Sequence, residues 1–251
     1  MADDRTNESV ARTLEFALSD YCIAQMAKTL GKTTDYEDLM RRAKNYRYLY
    51  NPKTKLFQAR NADGCWAGEH SGFTEGANWT YQFCVMQDVQ GLIDLMGGNE
   101  SFAAALDNVF DNGHYRHDNE PGHHYVYLYN YCGRFDKAQE RIPEILDTHY
   151  RNGADGLSGN DDCGQMSAWY LFSSLGFYPV TPASGEYALG IPRFPSARVE
   201  LPHGKVLTVR AEGLKEHKHL PVILFNGKKL DAPFIAIRDL MKGGVLEFKA
   251  E

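Results

Sequence analysis

Two adjacent carboxylates, Asp161 and Asp162, stand in the stretch Gly159-Asn160-Asp161-Asp162-Cys163-Gly164-Gln165-Met166-Ser167-Ala168-Trp169. Behind them, from Met166 to Leu175, apolar and small residues recur at helical spacing up to Gly176. The pattern predicts a short loop that delivers both carboxylates to a helix N-terminus, where unpaired N–H groups and the helix dipole favour the ionised form. A carboxylate kept ionised near neutral pH can act as a general base or help hold a hard cation. An Asp at this place is equally an ordinary helix cap, so the pair alone does not separate catalysis from capping.

Glu75 is the next candidate. It is a single carboxyl among aromatic and glycine residues in Phe73-Thr74-Glu75-Gly76-Ala77-Asn78-Trp79-Thr80-Tyr81, ahead of a predicted helix over 81–96. Apolar surroundings raise a carboxyl pKa and keep the group protonated as a general acid. The plain alternative is a capping Glu in a packed corner. A third polar stretch, His114-Tyr115-Arg116-His117-Asp118-Asn119-Glu120-Pro121-Gly122-His123-His124, holds four of the nine histidines. His114 with His117, or His123 with His124, admits a zinc reading, but Asp118, Asn119 and Glu120 bring hard oxygens better suited to calcium. The histidines can also hydrogen-bond hydroxyls, and a solvated polar loop is the bland alternative.

The elements that must position these stretches follow from periodicity. A first helix, capped by Asn7 or Ser9, runs to about Leu30, with Val10, Leu14, Ala17, Leu18, Tyr21 and Ala24 on its buried face. A second, capped by Asp35, carries Leu39, Ala43 and Tyr46 towards Tyr50. Asn51-Pro52-Lys53-Thr54-Lys55 is a turn, and 56–74 a long glycine-bearing loop of a kind that is usually functional or disordered, its aromatic content and the residues that follow favouring function. Ser101 caps a short helix ending near Phe110, and further helices are expected over 124–132 and 134–150. From about Arg198 the period changes to two: 199–201, 206–209, 222–225, 234–236 and 245–248 read as strands, with Asn226-Gly227 a hairpin turn. Residues 1–195 are thus expected to form a helical part carrying the polar loops, and 196–251 a β-rich part with a small antiparallel unit. The polar stretches all fall in loops between helices, as they would if they met at one end of a helical toroid with Glu75 and Asp162 facing across a cleft.

Composition narrows the partners. At 251 residues with 43% hydrophobic and 24% charged residues, the chain is ordinary for a globular protein. A net charge of −6 and no basic run argue against nucleic acid or an anionic membrane surface. No apolar stretch reaches the length of a membrane span. The first twenty residues lack the apolar block of a secretion signal, which for a complete chain predicts the cytoplasm; for a fragment of a longer precursor that inference fails and export is the expectation. Sequons at Asn7, Asn78 and Asn99 matter only if the protein is exported. Five widely spaced cysteines form no C-x-x-C pair and imply neither a disulfide framework nor a zinc site.

The segments TEGANWTYQFCVMQDVQGLIDLMGG, HDNEPGHHYVYLYNYCG and GNDDCGQMSAWYLFSSLGFYPVTPASGEY resemble the signature segments of the family 92 glycoside hydrolases, and the resemblance runs from about Ser9 to the C-terminus. These are calcium-dependent exo-α-mannosidases that invert the anomeric centre. The resemblance implies half of an (α/α)6 toroid followed by a small β element. It also implies Glu75 as general acid and Asp162 as general base, with Asp161 and Asn160 as the neighbouring loop positions. Asn119 and Glu120 fall in the segment that supplies calcium and sugar contacts. Trp79 and His117 are implied as sugar contacts, His117 towards the leaving sugar in α-1,2 enzymes, and Asp118 stands where those enzymes carry Glu. Family members are much longer, with an N-terminal β-sandwich and the first half of the toroid. The resemblance therefore implies a C-terminal part that a missing N-terminal region or a partner chain completes, or else an inactive sugar-binding fragment. A different (α/α)6 hydrolase is the enzymatic rival.

Overall fold

Val10, Leu14, Ala17 and Ala24 form the buried stripe of α1 (Ser9–Thr29) as their spacing dictates. No side chain caps this helix. Its first N–H groups, on Val10 and Ala11, donate to the Gly72 carbonyl at 2.9 and 3.0 Å, so a distant loop does the work expected of Asn7 or Ser9. Leu18 and Tyr21 are only half-buried. Asp20 is buried instead, and both its oxygens meet the Arg42 guanidinium of α2 (Thr33–Arg42), at 2.9 and 3.0 Å. Bidentate pairing is what lets a charge be buried there. On the far side of α1, Phe16, Ile23, Met26 and Leu30 recur seven, three and four residues apart and are all exposed.

The computed structural model describes residues 1–214 and 218–250. They fall into two compact units, Met1–Tyr115 with Thr181–Ser184, and Arg116–Val180 with Gly185–Glu251. In the first unit α2 gives way to a 3-10 helix (Asn45–Leu49) rather than continuing to Tyr50. The loop beyond it is ordered by a small hairpin of β1 (Tyr50–Asn51) and β2 (Leu56–Phe57). The helix expected over 81–96 is broken into α3 (Asn78–Tyr81), a 3-10 turn (Met86–Asp88) and α4 (Val89–Leu95). The Asp88 carboxylate restarts the helix by accepting from Gly91 N–H at 3.2 Å, and it also takes the Tyr46 hydroxyl at 2.7 Å. The last helix of this unit is α5 (Asn99–Asp111), preceded by Gly98 rather than capped by Ser101.

The second unit opens with a short 3-10 turn (Glu120–Gly122) and a longer 3-10 helix (Tyr125–Cys132), where an α-helix was expected, followed by α6 (Phe135–His149) and α7 (Gln165–Leu175). A three-stranded sheet orders as β3 (Phe177–Tyr178), β4 (Glu186–Leu189) and β9 (Phe234–Ala236). A five-stranded sheet contains β5 (Ser196–Glu200), β6 (Val206–Glu212), β7 (Val222–Phe225), β8 (Lys228–Lys229) and β10 (Gly244–Lys249), in the order β5-β6-β10-β7-β8. The short helix α8 (Ile237–Leu240) separates β9 from β10. Among the described residues all strand pairs are antiparallel except β6 with β10, which run parallel; β10 lies between β6 and β7 and is antiparallel to β7. Asn226 and Gly227, both at positive φ (52° and 77°), make the β7–β8 turn that their sequence announces.

The units do not divide at residue 195. β4 lies before that point and pairs with β9 beyond it. Gln139 of α6, fully buried, ties the same two segments: its amide donates to the carbonyls of Gly190 and Leu220 at 3.1 Å each and accepts from Leu220 N–H at 2.9 Å. Gln139→Leu strands three buried backbone groups. We expect a loss of about 3 kcal/mol in the unfolding free energy of the protein, measured by chemical denaturation.

Candidate functional site

In the first unit, Glu75 is held by its neighbours in sequence. The Gly72 carbonyl is pinned to the start of α1, the Thr74 hydroxyl donates to Glu8 at 2.9 Å, and the Tyr81 hydroxyl donates to the Thr74 carbonyl at 2.8 Å. A Cβ on Gly72 would stand 2.8 Å from Ser9 Oγ, so this close approach needs glycine. Glu75 follows at φ 50°, in the left-handed region, and is exposed. The expected apolar enclosure of its carboxyl is therefore not provided by the surrounding aromatics. Trp79 stacks on His114 with ring centroids 4.4 Å apart and planes 3° from parallel. His114 thus belongs with Trp79 and not with the other histidines of its stretch.

The second unit brings together the Asp118–Glu120 loop and the Gly159–Asp162 loop. Gly159 lies against the backbone of Asp118, and a Cβ there would fall 2.8 Å from Asp118 Cα. Downstream, Asp162, Cys163 and Gly164 take φ values of 43°, 59° and 89° in succession. A non-glycine residue in this region costs about 1–2 kcal/mol, and such strain collects at functional positions. What holds it is the first turn of α7. Gln165 N–H donates to the Asp162 carbonyl at 3.2 Å and Met166 N–H to the Asp161 carbonyl at 3.3 Å. The Asp161 carboxylate accepts from Ser167 N–H at 2.9 Å and from its hydroxyl at 3.0 Å. The two adjacent carboxylates are thereby separated: Asp161 caps α7, while Asp162, like Asn160, is exposed to solvent.

His117 is only 1% exposed. Its Nε2 meets the Tyr150 hydroxyl at 2.7 Å, that hydroxyl donates to the Met166 carbonyl at 3.0 Å, and the ring packs on His123, His149 and Trp169. Since Tyr150 has given its proton to Met166, His117 Nε2 is the donor of that pair. The imidazole expected to touch a sugar lies inside the unit, and Asp118 beside it is the accessible side chain. Asp118 is gripped by Arg116 through two hydrogen bonds, which hold its carboxyl below the usual carboxylate range. Asn119 Oδ1 accepts from Glu120 N–H at 3.2 Å, while the Glu120 carboxylate is half-exposed and forms no ion pair among the described residues. Among the described residues no three His, Cys, Asp or Glu side chains cluster as a metal cage. Hard oxygens from Asn119 and Glu120 suit a calcium ion that keeps several non-protein ligands, and they do not suit zinc.

The sequence pattern of the Glycosyl hydrolase family 92 catalytic domain matches residues 1–251. The chain belongs to family 92. A family 92 α-mannosidase from Bacteroides thetaiotaomicron superposes with a TM-score of 0.94 at 41% identity, over 99% of this chain and 35% of that one. The same enzyme in complex with mannoimidazole gives 0.93 at 39% identity, over 100% of this chain and 37% of that one. A family 92 inverting mannosidase of the same bacterium gives 0.92 at 34%, over 99% and 38%. An uncharacterized secreted glycosidase of Arthroderma benhamiae is 28% identical over 96% of this chain and 35% of its own length. The family 92 chain thus spans little more than a third of the length of these relatives.

Burial, with His123 and His149 alongside, pushes the His117 pKa down to about 2, and burial also lowers His123 and His149. In the unfolded chain each titrates near pH 6.5. Below that value the unfolded state binds protons the folded state refuses, so stability falls as pH drops, by up to about 1.4 kcal/mol per pH unit for each of the buried His117 and His123, and by less for the half-exposed, solvent-screened His149. Denaturation midpoints should decline from pH 7 to pH 4.5, and His117→Phe should flatten the decline.

Proposed function

We propose that this chain is the C-terminal part of the catalytic region of an inverting, exo-acting α-mannosidase that removes α-1,2-linked mannose from mannose-containing glycans, N-glycans among them. The observation that carries the reading is Asp162: an exposed carboxylate on strained, left-handed backbone at the mouth of α7, beside a loop of hard oxygens, in a family 92 chain. Glu75, the other carboxyl on left-handed backbone, is the general acid that protonates the glycosidic oxygen. Asp162 is the general base that takes a proton from the water attacking the opposite face of the ring. Asp161 serves by capping α7 and so setting the direction of Asp162. The mannoimidazole complex of a relative supports a mannose-like ligand.

Calcium is part of this reading. Asn119 and Glu120 would hold it, and it would supply positive charge near the sugar hydroxyls. Trp79, Asp118 and Asn160 are the proposed sugar contacts, with His117 acting from behind. The helices are those of part of an (α/α)6 toroid. The exposed stripe Phe16, Ile23, Met26 and Leu30 suits a helical neighbour, contributed by a polypeptide matching the rest of the relatives' length. The alternative, a partner-dependent fragment that binds sugar without cleaving it, is favoured by that same stripe and by the partial span of the relatives.

Two measurements decide between these readings. Glu75→Gln and Asp162→Asn should each lower the kcat of the active protein by about 10²–10⁴-fold with little change in thermal midpoint. Near-normal turnover in either variant removes that residue from its role, and no turnover in the parent protein leaves the binding reading. Chelation with EGTA should abolish hydrolysis of an aryl α-mannoside and added calcium should restore it. Restoration by zinc and not by calcium would return the ligand assignment to the histidines.

A further inference from the structure

His123 sits at the junction of the two loops that form the site of the second unit. Its ring is 2% exposed and bonded at both nitrogens. Nε2 lies 3.0 Å from the His117 carbonyl, an acceptor only, so Nε2 carries the proton. Nδ1 is then the acceptor, and it faces the Gln165 side-chain amide nitrogen at 3.3 Å. That amide's second proton goes to the Tyr178 hydroxyl at 3.0 Å. The backbone of His123 is held too, for its carbonyl accepts the Trp169 indole N–H at 2.8 Å. Gln165 and Trp169 both belong to α7, the helix whose first turn positions Asp162. One ring therefore clasps the ends of the 117–123 loop, which carries Asp118, Asn119 and Glu120, and locks that loop to α7 by side chain and by main chain.

We propose that His123, through Gln165, is a positioning residue that keeps the Asn119–Glu120 loop in register with the Asp162 loop during catalysis. The donor–acceptor order is consistent from end to end only while the ring is uncharged, and burial favours that state. A protonated ring would turn a second N–H towards the amide N–H of Gln165 and break the clasp. Neither His123 nor Gln165 touches the reacting atoms; both act on the spacing between the groups that do. The inference rests on the reading of Asp162 as general base.

The test compares His123→Leu, His123→Gln, Gln165→Leu and Asp162→Asn in the active protein, measuring kcat, KM and thermal midpoint. His123→Leu removes both ring hydrogen bonds. His123→Gln keeps a donor at the reach of Nε2. Gln165→Leu breaks the link at a half-exposed position and serves if His123→Leu does not fold. Misplacement by a fraction of an ångström to one ångström costs about 10–100-fold in turnover. We expect that loss in kcat per folded molecule for His123→Leu and Gln165→Leu, a smaller change in KM, and recovery of most of kcat in His123→Gln. A merely structural role would lower the thermal midpoint and leave kcat per folded molecule unchanged, and that outcome overturns the proposal. If Asp162→Asn is inactive while Gln165→Leu is fully active, the positioning role alone fails. If Asp162→Asn is itself active, the reading of the base fails first.

Discussion

The Asp161 carboxylate meets the backbone N–H and the hydroxyl of Ser167, and this cap fixes where α7 begins. With the main-chain bonds of Gln165 and Met166, it occupies the N–H groups of the first helical turn. The chain entering that turn has no freedom left, and three successive residues accept a left-handed backbone to make the connection. Asp162 is the first of them, and its side chain is delivered to solvent instead of to the helix. The strain costs a few kcal/mol and is held in place by a cap worth about one more, together with the buried aromatic packing of Trp169. The same helix anchors His123, so two polar loops far apart in sequence share a single rigid support.

The first unit solves a similar problem by different means. The N-terminus of α1 has no capping side chain and takes the Gly72 carbonyl instead, which pins the loop leading to Glu75. Glu8 and Tyr81 hold Thr74 from either side. Glu75 then turns outward at positive φ, as Asp162 does. In both places a carboxyl is exposed by backbone geometry that its neighbours impose, and in both the cost falls on the loop while the helices carry the support.

Much of this was legible in the sequence. The alternating strands, the Asn226-Gly227 turn and the long α1 follow from local periodicity, which the structure had no reason to override. The polar stretches could be singled out because carboxylates among glycines and aromatics are poor material for a core. Their division of labour was not legible. Asp161 and Asp162 are identical in type and adjacent, and only the position of Ser167 in the first turn of α7 makes one a cap. His114 and His117 lie three residues apart, yet one stacks on Trp79 and the other is buried with Tyr150, because the chain passes from one compact unit to the other between them. The helix expected over 81–96 failed where Asp88 offers a better start for α4. The parallel pairing of β6 and β10 depends on contacts across many residues that no local pattern records.

The chemistry assigned to Glu75 and Asp162 has one direct consequence that needs no mutant. A general acid and a general base acting on opposite faces of the sugar invert the anomeric carbon in a single displacement. Proton NMR of the hydrolysis of an aryl α-mannoside by the active protein, followed from the first minutes before mutarotation, reads the anomer as it is released. β-Mannose appearing first, with the α anomer growing later, is the predicted result. α-Mannose appearing first would mean a covalent intermediate on a carboxylate nucleophile, and would contradict the roles given to both residues.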